Sequence, residues 1–174
     1  HTIGPGMVLC EVQEYSDLTY RVYDYGRVDA QGKPRELHIE KALAVINFGA
    51  STSPLVPRIS FRERGAEISL LAACRYFATE RWELGSTAGC HSCPEHFEVL
   101  VILSGEGQLE WPEGEASYHC GDAWLIPASL GPFALHPSAP TSLIRTYVPD
   151  LDALRAALRS EGASDSRIAE IIFD

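Results

Sequence analysis

The chain of 174 residues has no methionine at its first position; it opens HTIGPGMVLCEVQE, and its single methionine is Met7. A histidine in that place reads as the interior of a longer polypeptide. Basic residues are also scarce. Fourteen Lys and Arg stand against 24 Asp and Glu, a net charge of −10, and no basic run exceeds two residues. That balance argues against a partner gripped through a phosphate backbone. It does not exclude a small anion, because a few arginines in one pocket override the overall field. No apolar run approaches the ~20 residues that span a bilayer, so no membrane partner is expected. A signal peptide is absent, although a chain beginning internally would have lost one. The five cysteines (Cys10, Cys74, Cys90, Cys93 and Cys120) are odd in number and scattered. They make no secreted disulfide framework, and the expectation is a cytoplasmic protein with reduced thiols.

What is present is mostly strand-like. GMVLCEVQ (6–13) alternates, with Leu9, Glu11 and Gln13 on one face and Val8, Cys10 and Val12 on the other. LTYRVYDY (18–25) is rich in β-favouring residues and sets Thr19, Arg21, Tyr23 and Tyr25 on one side. PRELHIEKALAVINFG then changes period: Leu37, Ile39, Ala42, Leu43 and Ile46 predict a helix of about three turns, with Gly49 just past its end. The Ser- and Pro-containing stretch 50–60 reads as a linker. From 58 onward short strands alternate with turn signals and no helix intervenes. This pattern predicts an antiparallel sandwich or barrel. Two amphipathic helices close the chain, DLDALRAALRSEG and SDSRIAEIIFD, with Asp150 and Ser164 as N-caps and Gly162 as a stop. There is no repeat. The domain boundaries implied are 1–50, 51–149 and 150–174.

Two constellations carry chemistry. Glu11 and Arg21, on neighbouring strands and with Arg27 close by, could form a polar floor that positions a sugar hydroxyl and a phosphate, since a guanidinium fork matches phosphate oxygens. The plainer reading is a salt bridge on a solvated face. The second is GCHSCPEHFEVLVILSGEG. Its His91-x-Cys93-x4-Glu98-x6-Gly105 spacing imitates a cupin metal motif, with Cys93 in place of a histidine. GDAWLIPASLGPF has the Gly-x5-Pro spacing of the second cupin motif but no histidine for the last ligand, His136 being the nearest. The expectation is therefore a retained fold signature whose metal site has been lost. Cys74 and Cys120 are expected in the core, and His38 and His119 in solvent.

The run from His1 to Leu43, HTIGPGMVLCEVQEYSDLTYRVYDYGRVDAQGKPRELHIEKAL, resembles the central segment of bacterial type I mannose-6-phosphate isomerases. CRYFATERWEL, FEVLVILSGEG and GDAWLIPASLG resemble that family's second cupin domain, and RTYVPDL its last strand. The resemblance implies a mainly β, cupin or jelly-roll antiparallel β-barrel fold with a few short helices: part of a first cupin, then a complete second one. It implies zinc-dependent interconversion of mannose 6-phosphate and fructose 6-phosphate. His1 would match a zinc ligand, Glu11 a pocket glutamate, Arg21 the catalytic arginine and Arg27 a residue for the substrate phosphate. The remaining zinc ligands, a Gln-x-His pair and a glutamate, would lie upstream of His1, in a missing N-terminal half of the same polypeptide. Two other readings stay open. One is a non-catalytic sugar-binding or regulatory cupin, and the other an independent cupin enzyme with a metal at His91, Cys93 and Glu98.

Overall fold

The computed structural model describes residues 3–13, 15–16, 18–49 and 57–173. The chain divides into two compact units, His1–Pro54 and Leu55–Asp174.

In the first unit the regular structure is one helix, α1 (Ile39–Val45), and a single antiparallel bridge between Val28 and Pro34. The expected strands over 6–13 and 18–25 do not form among the described residues. Their alternation is real, but a strand is held by a ladder to a neighbour, and no such partner appears here. Burial does not hold them either, since Val8 is 99 % exposed and Leu18 and Tyr23 are also largely open. The helix is two turns rather than three. It lacks a side-chain cap at its start, and Ala42 is its one buried residue, so little packing extends it.

The second unit is all-antiparallel but for one pairing. One sheet runs β1 (Ile59–Glu63), β2 (Ala66–Cys74), β3 (Ala78–Leu84), β10 (Thr141–Tyr147), β5 (Glu98–Ser104) and β8 (Ala123–Ile126). The other runs β4 (Ala88–His91), β9 (Pro132–Pro137), β6 (Glu106–Trp111) and β7 (Gly114–His119). Alternation decides the inner faces. Ile68, Trp82 and Leu143 stand side by side across β2, β3 and β10. Together with Leu100, Ile102 and Ile126 they pack against Leu109, Tyr118, Phe133 and Leu135 of the smaller sheet. The turn at Gly105 (φ +87°) brings its backbone so close to the 140–141 segment that a Cβ would lie 2.5 Å from the Pro140 carbonyl oxygen. Glycine alone fits there.

The C-terminal residues build a second apolar cluster. Helices α2 (Leu151–Ser160) and α3 (Asp165–Ala169) bring Leu158, Ile168 and Ile171 against Ile59, Leu70 and Ala78. The final helix is shorter than its pattern predicts. After Ala169 the chain turns into β11 (Ile172–Phe173), which runs parallel to β2, because Ile171 and Ile172 are buried against that strand rather than along a helix face. The expected caps are in place: Asp150 Oδ1 accepts the backbone N–H groups of Asp152 and Ala153, each at 3.0 Å. Ser164 Oγ accepts that of Arg167 at 3.4 Å. Asp150→Ala is expected to cost about 1 kcal/mol of stability, measured by urea unfolding.

Candidate functional site

The segment 18–38 folds back on itself. The Arg21 N–H donates to His38 Nδ1 at 3.1 Å, and the His38 N–H donates to the Arg21 carbonyl oxygen at 2.7 Å. His38 is thus a structural contact, not the solvated side chain expected. Asp29 Oδ1 accepts the N–H groups of Gln31 and Lys33, each at 2.9 Å, and so tightens the turn. The fold-back sets Arg35 beside Asp24, with Nε donating to Oδ2 at 2.7 Å and Nη2 to Oδ1. Arg21 Nε lies 3.9 Å from Asp24 Oδ1, and its Nη1 donates to the Glu36 carbonyl oxygen at 3.0 Å. The hydrogen bond from Arg35 holds the Asp24 carboxyl below the usual carboxylate range, and the charges of Arg35, Arg21 and Arg27 add to it. Arg35 and Arg21 thus flank one carboxylate, and the charge of Arg27 acts on it from farther away. Arg27 also stands 5.7 Å from the Tyr25 ring centroid.

Arg21 and Arg27 both act on the charge of Asp24, Arg21 from 3.9 Å. Glu11 is exposed and has no hydrogen bond or ion pair among the described residues. His1 lies outside the described residues. Asp24 and Arg35 escaped the sequence reading. The signal for them is only an acidic residue three after Arg21 and a basic one eleven further on, which no local pattern joins.

In the second unit a polar belt of Glu80, Glu98, Arg145 and Tyr147 crosses β3, β5 and β10. Glu80, on the inner face of β3, is 4 % exposed. Its Oε1 accepts from the Tyr147 hydroxyl at 2.7 Å, and its Oε2 from Trp82 Nε1 at 2.8 Å and from Arg145 Nη1 at 3.4 Å. Glu98 is 1 % exposed. Its Oε2 accepts from Arg145 Nε, and its Oε1 has no partner among the described residues. Arg145 lies over the rings of Tyr147 and Trp82, 4.4 and 5.3 Å from their centroids. Burial pulls the guanidinium pKa down, but attraction from Glu80 and Glu98 outweighs it and leaves the group above its ordinary value. Burial, and then the charge of Glu80, push the Tyr147 phenol far above its usual range, so it remains a neutral donor. Sequence reasoning missed this group of side chains, though Glu80 stands between Ala78, Trp82 and Leu84 on the inward face of β3, a charge in an otherwise apolar row.

The metal-like spacing at 91–105 does not produce a metal centre. On β4 and its extension the residues that turn inward are Ala88, Cys90 and Ser92; His91 falls on the other face and is exposed. Ser92 is 2 % exposed and knits the strand to the loop that follows β8, donating to the Ala128 carbonyl oxygen at 3.0 Å and accepting the Gly131 N–H at 2.9 Å. His136 is held 2.8 Å from Glu110 Oε2 and 3.1 Å from Thr87 Oγ1. Across the described residues no group of three His, Cys, Asp or Glu is placed to hold a metal ion. The zinc that the resemblance implies would be held at His1, outside the described residues, together with ligands from elsewhere in the polypeptide, and the three or four ligands of such a site are not expected among the residues described.

The cysteines also depart from expectation at one place. Cys120 is exposed, its Sγ 3.1 Å from the Leu103 carbonyl oxygen, because the turn before Gly121 leaves it outside the core. Burial pushes the Cys90 thiol up to about 11. At pH 8 that leaves on the order of one thiolate per thousand. Iodoacetamide is therefore expected to spare Cys90 while labelling the exposed Cys10 and Cys120, read by peptide mass spectrometry.

Residues 67–148 match the mannose-6-phosphate isomerase cupin domain. The chain is 37 % identical over 139 residues to the mannose-6-phosphate isomerase ManA of Bacillus subtilis, a match covering 78 % of this chain and 42 % of that protein. It is 30 % identical over 131 residues to a mannose-6-phosphate isomerase of Streptococcus mutans, covering 75 % and 40 %. In three dimensions it matches the crystal structure of the mannose 6-phosphate isomerase from Bacillus subtilis with a TM-score of 0.63 and 28 % identity, over 75 % of this chain and 40 % of that one. The chain thus spans about two fifths of the length of these relatives. The β unit has the cupin fold, as expected.

Proposed function

The chain carries the cupin domain of the mannose-6-phosphate isomerase family over residues 67–148, and on that basis we propose that it serves in a zinc-dependent isomerase exchanging mannose 6-phosphate and fructose 6-phosphate. The observation that carries this reading to the level of residues is the arginine cluster around Asp24. A cluster with more guanidinium than carboxylate groups suits a sugar phosphate, and the fold-back at His38 holds it in place.

The reaction removes the proton at C2 of the aldose, forms an enediol across C1 and C2, and returns a proton to C1 while the C2 hydroxyl becomes the ketone. Negative charge grows on the carbonyl oxygen at the transition state. Arg21, whose side chain is partly buried and anchored to Glu36, is the residue for that charge. Arg27 takes the phosphate, where a forked donor pairs with two oxygens. Glu11 is the carboxylate for the proton, and reaching the substrate requires the 6–13 segment to lie against the arginines. By the family resemblance, His1 would contribute one zinc ligand beside a Gln-x-His pair and a glutamate.

The test is conversion of mannose 6-phosphate in an assay coupled to fructose 6-phosphate, on the natural polypeptide that contains this segment. Arg27→Ala is expected to raise KM by about tenfold or more with little change in kcat, the pattern of lost uniform binding. Equal KM values for the variant and the parent would remove Arg27 from the phosphate site.

A further inference from the structure

A cavity of about 280 Å³ lies between the polar belt and helix α2. We propose that it is a second ligand site, one for a small uncharged polyhydroxylated molecule such as a free sugar or polyol. Its size sits at the lower end of small-molecule pockets, ~300 Å³. On one side it is lined by Glu80, Arg145 and Tyr147, and on the other by Ala157 and Ser160 of α2 with Glu161 just past its end.

Three observations point to this ligand. Arg145 has a side chain only 16 % exposed, and its Nε and Nη1 are engaged by Glu98 and Glu80, while Nη2 has no hydrogen-bond partner among the described residues. Nη2 is not closed off from solvent, so it can donate to a ligand hydroxyl. The lining holds Glu63, Glu80 and Glu161 against Arg64 and Arg145, with Glu98 behind Arg145. That excess of carboxylates disfavours a phosphate or carboxylate, yet accepts O–H donors well. Phe61, partly exposed, also lines the cavity and offers apolar ring surface to the C–H face of a sugar. A hydroxylated ring uses all three, accepting from Arg145, donating to a glutamate and packing on an aromatic ring.

The site is tested by binding, with no turnover step, so its failure is separate from that of the isomerase reading. D-mannose and myo-inositol are titrated into the full chain, followed by saturation-transfer NMR and tryptophan fluorescence, with mannose 6-phosphate as the charged comparison. At least one uncharged probe is expected to bind saturably. Ala157→Phe, at an exposed position of α2, fills the cavity from that side and is expected to weaken that binding by at least about tenfold at an unchanged thermal midpoint. Ser160→Trp obstructs the same side and replaces it if Ala157→Phe does not fold. Absence of saturable binding by both uncharged probes, or equal binding in a folded α2 variant, overturns the proposal.

Discussion

Replacement of Arg145 by alanine is expected to lower the unfolding free energy by about 3–5 kcal/mol, the usual cost of orphaning a buried charge. The guanidinium is the cation that Glu80 and Glu98 share, and both carboxylates are nearly inaccessible to water. Without it the Glu98 carboxylate loses its one hydrogen bond among the described residues, and among these Glu80 keeps the neutral donors Tyr147 and Trp82. The loss differs from simple truncation of a large side chain, and a second variant separates the two. Arg145→Met combined with Glu80→Gln and Glu98→Gln removes the charges together, and is expected to recover most of the deficit, because removing a whole buried ionic group is far milder than breaking it. Urea unfolding measures both. A deficit under about 1 kcal/mol in Arg145→Ala, the size of a surface pair, would show that the belt is not an ionic network.

Arg21→Ala is expected to lower kcat for mannose 6-phosphate by about 10²–10³-fold, the scale of losing one group that stabilises a developing oxyanion. Arg21 also braces Asp24 and the Glu36 carbonyl, so the alanine variant mixes chemistry with positioning. Arg21→Lys keeps the charge but loses the planar fork. It is expected to recover little, because one point charge cannot hold the Glu36 carbonyl and face the substrate together. If lysine restores full turnover, charge alone suffices and the proposed geometry is wrong.

The β unit was legible because each of its layers obeys a period. Alternation in ATERWEL and FEVLVIL names the buried faces, and Asp150, Ser164 and Gly162 mark the helix ends without help from tertiary contacts. The strands over 6–13 and 18–25 were not legible, because alternation records which face could be buried and says nothing of whether a neighbour is present to pair. The His91-x-Cys93 spacing shows a related limit of counting along the chain. A motif counts residues, whereas the parity of β4 decides which of them face the core, and here parity selects Cys90 and Ser92. The Glu80–Arg145–Glu98 belt joins three strands separated in sequence by up to 65 residues. Sequence reading passes over Glu80 and Arg145 and takes Glu98 for a metal-motif position, and only the register of β10 against β3 and β5 shows that they meet.

The two units carry different tasks in this account, with sugar-phosphate chemistry at the Arg21 cluster and the cupin unit holding a structural ionic belt beside its own cavity. The most direct measurement is the turnover of mannose 6-phosphate by the natural polypeptide containing these residues, compared with its Arg21→Ala and Ala157→Phe variants. The prediction is measurable conversion in the parent, a loss of about 10²-fold or more in Arg21→Ala, and turnover within about twofold of the parent in Ala157→Phe. No conversion by the parent, or an equal loss in both variants, would contradict it.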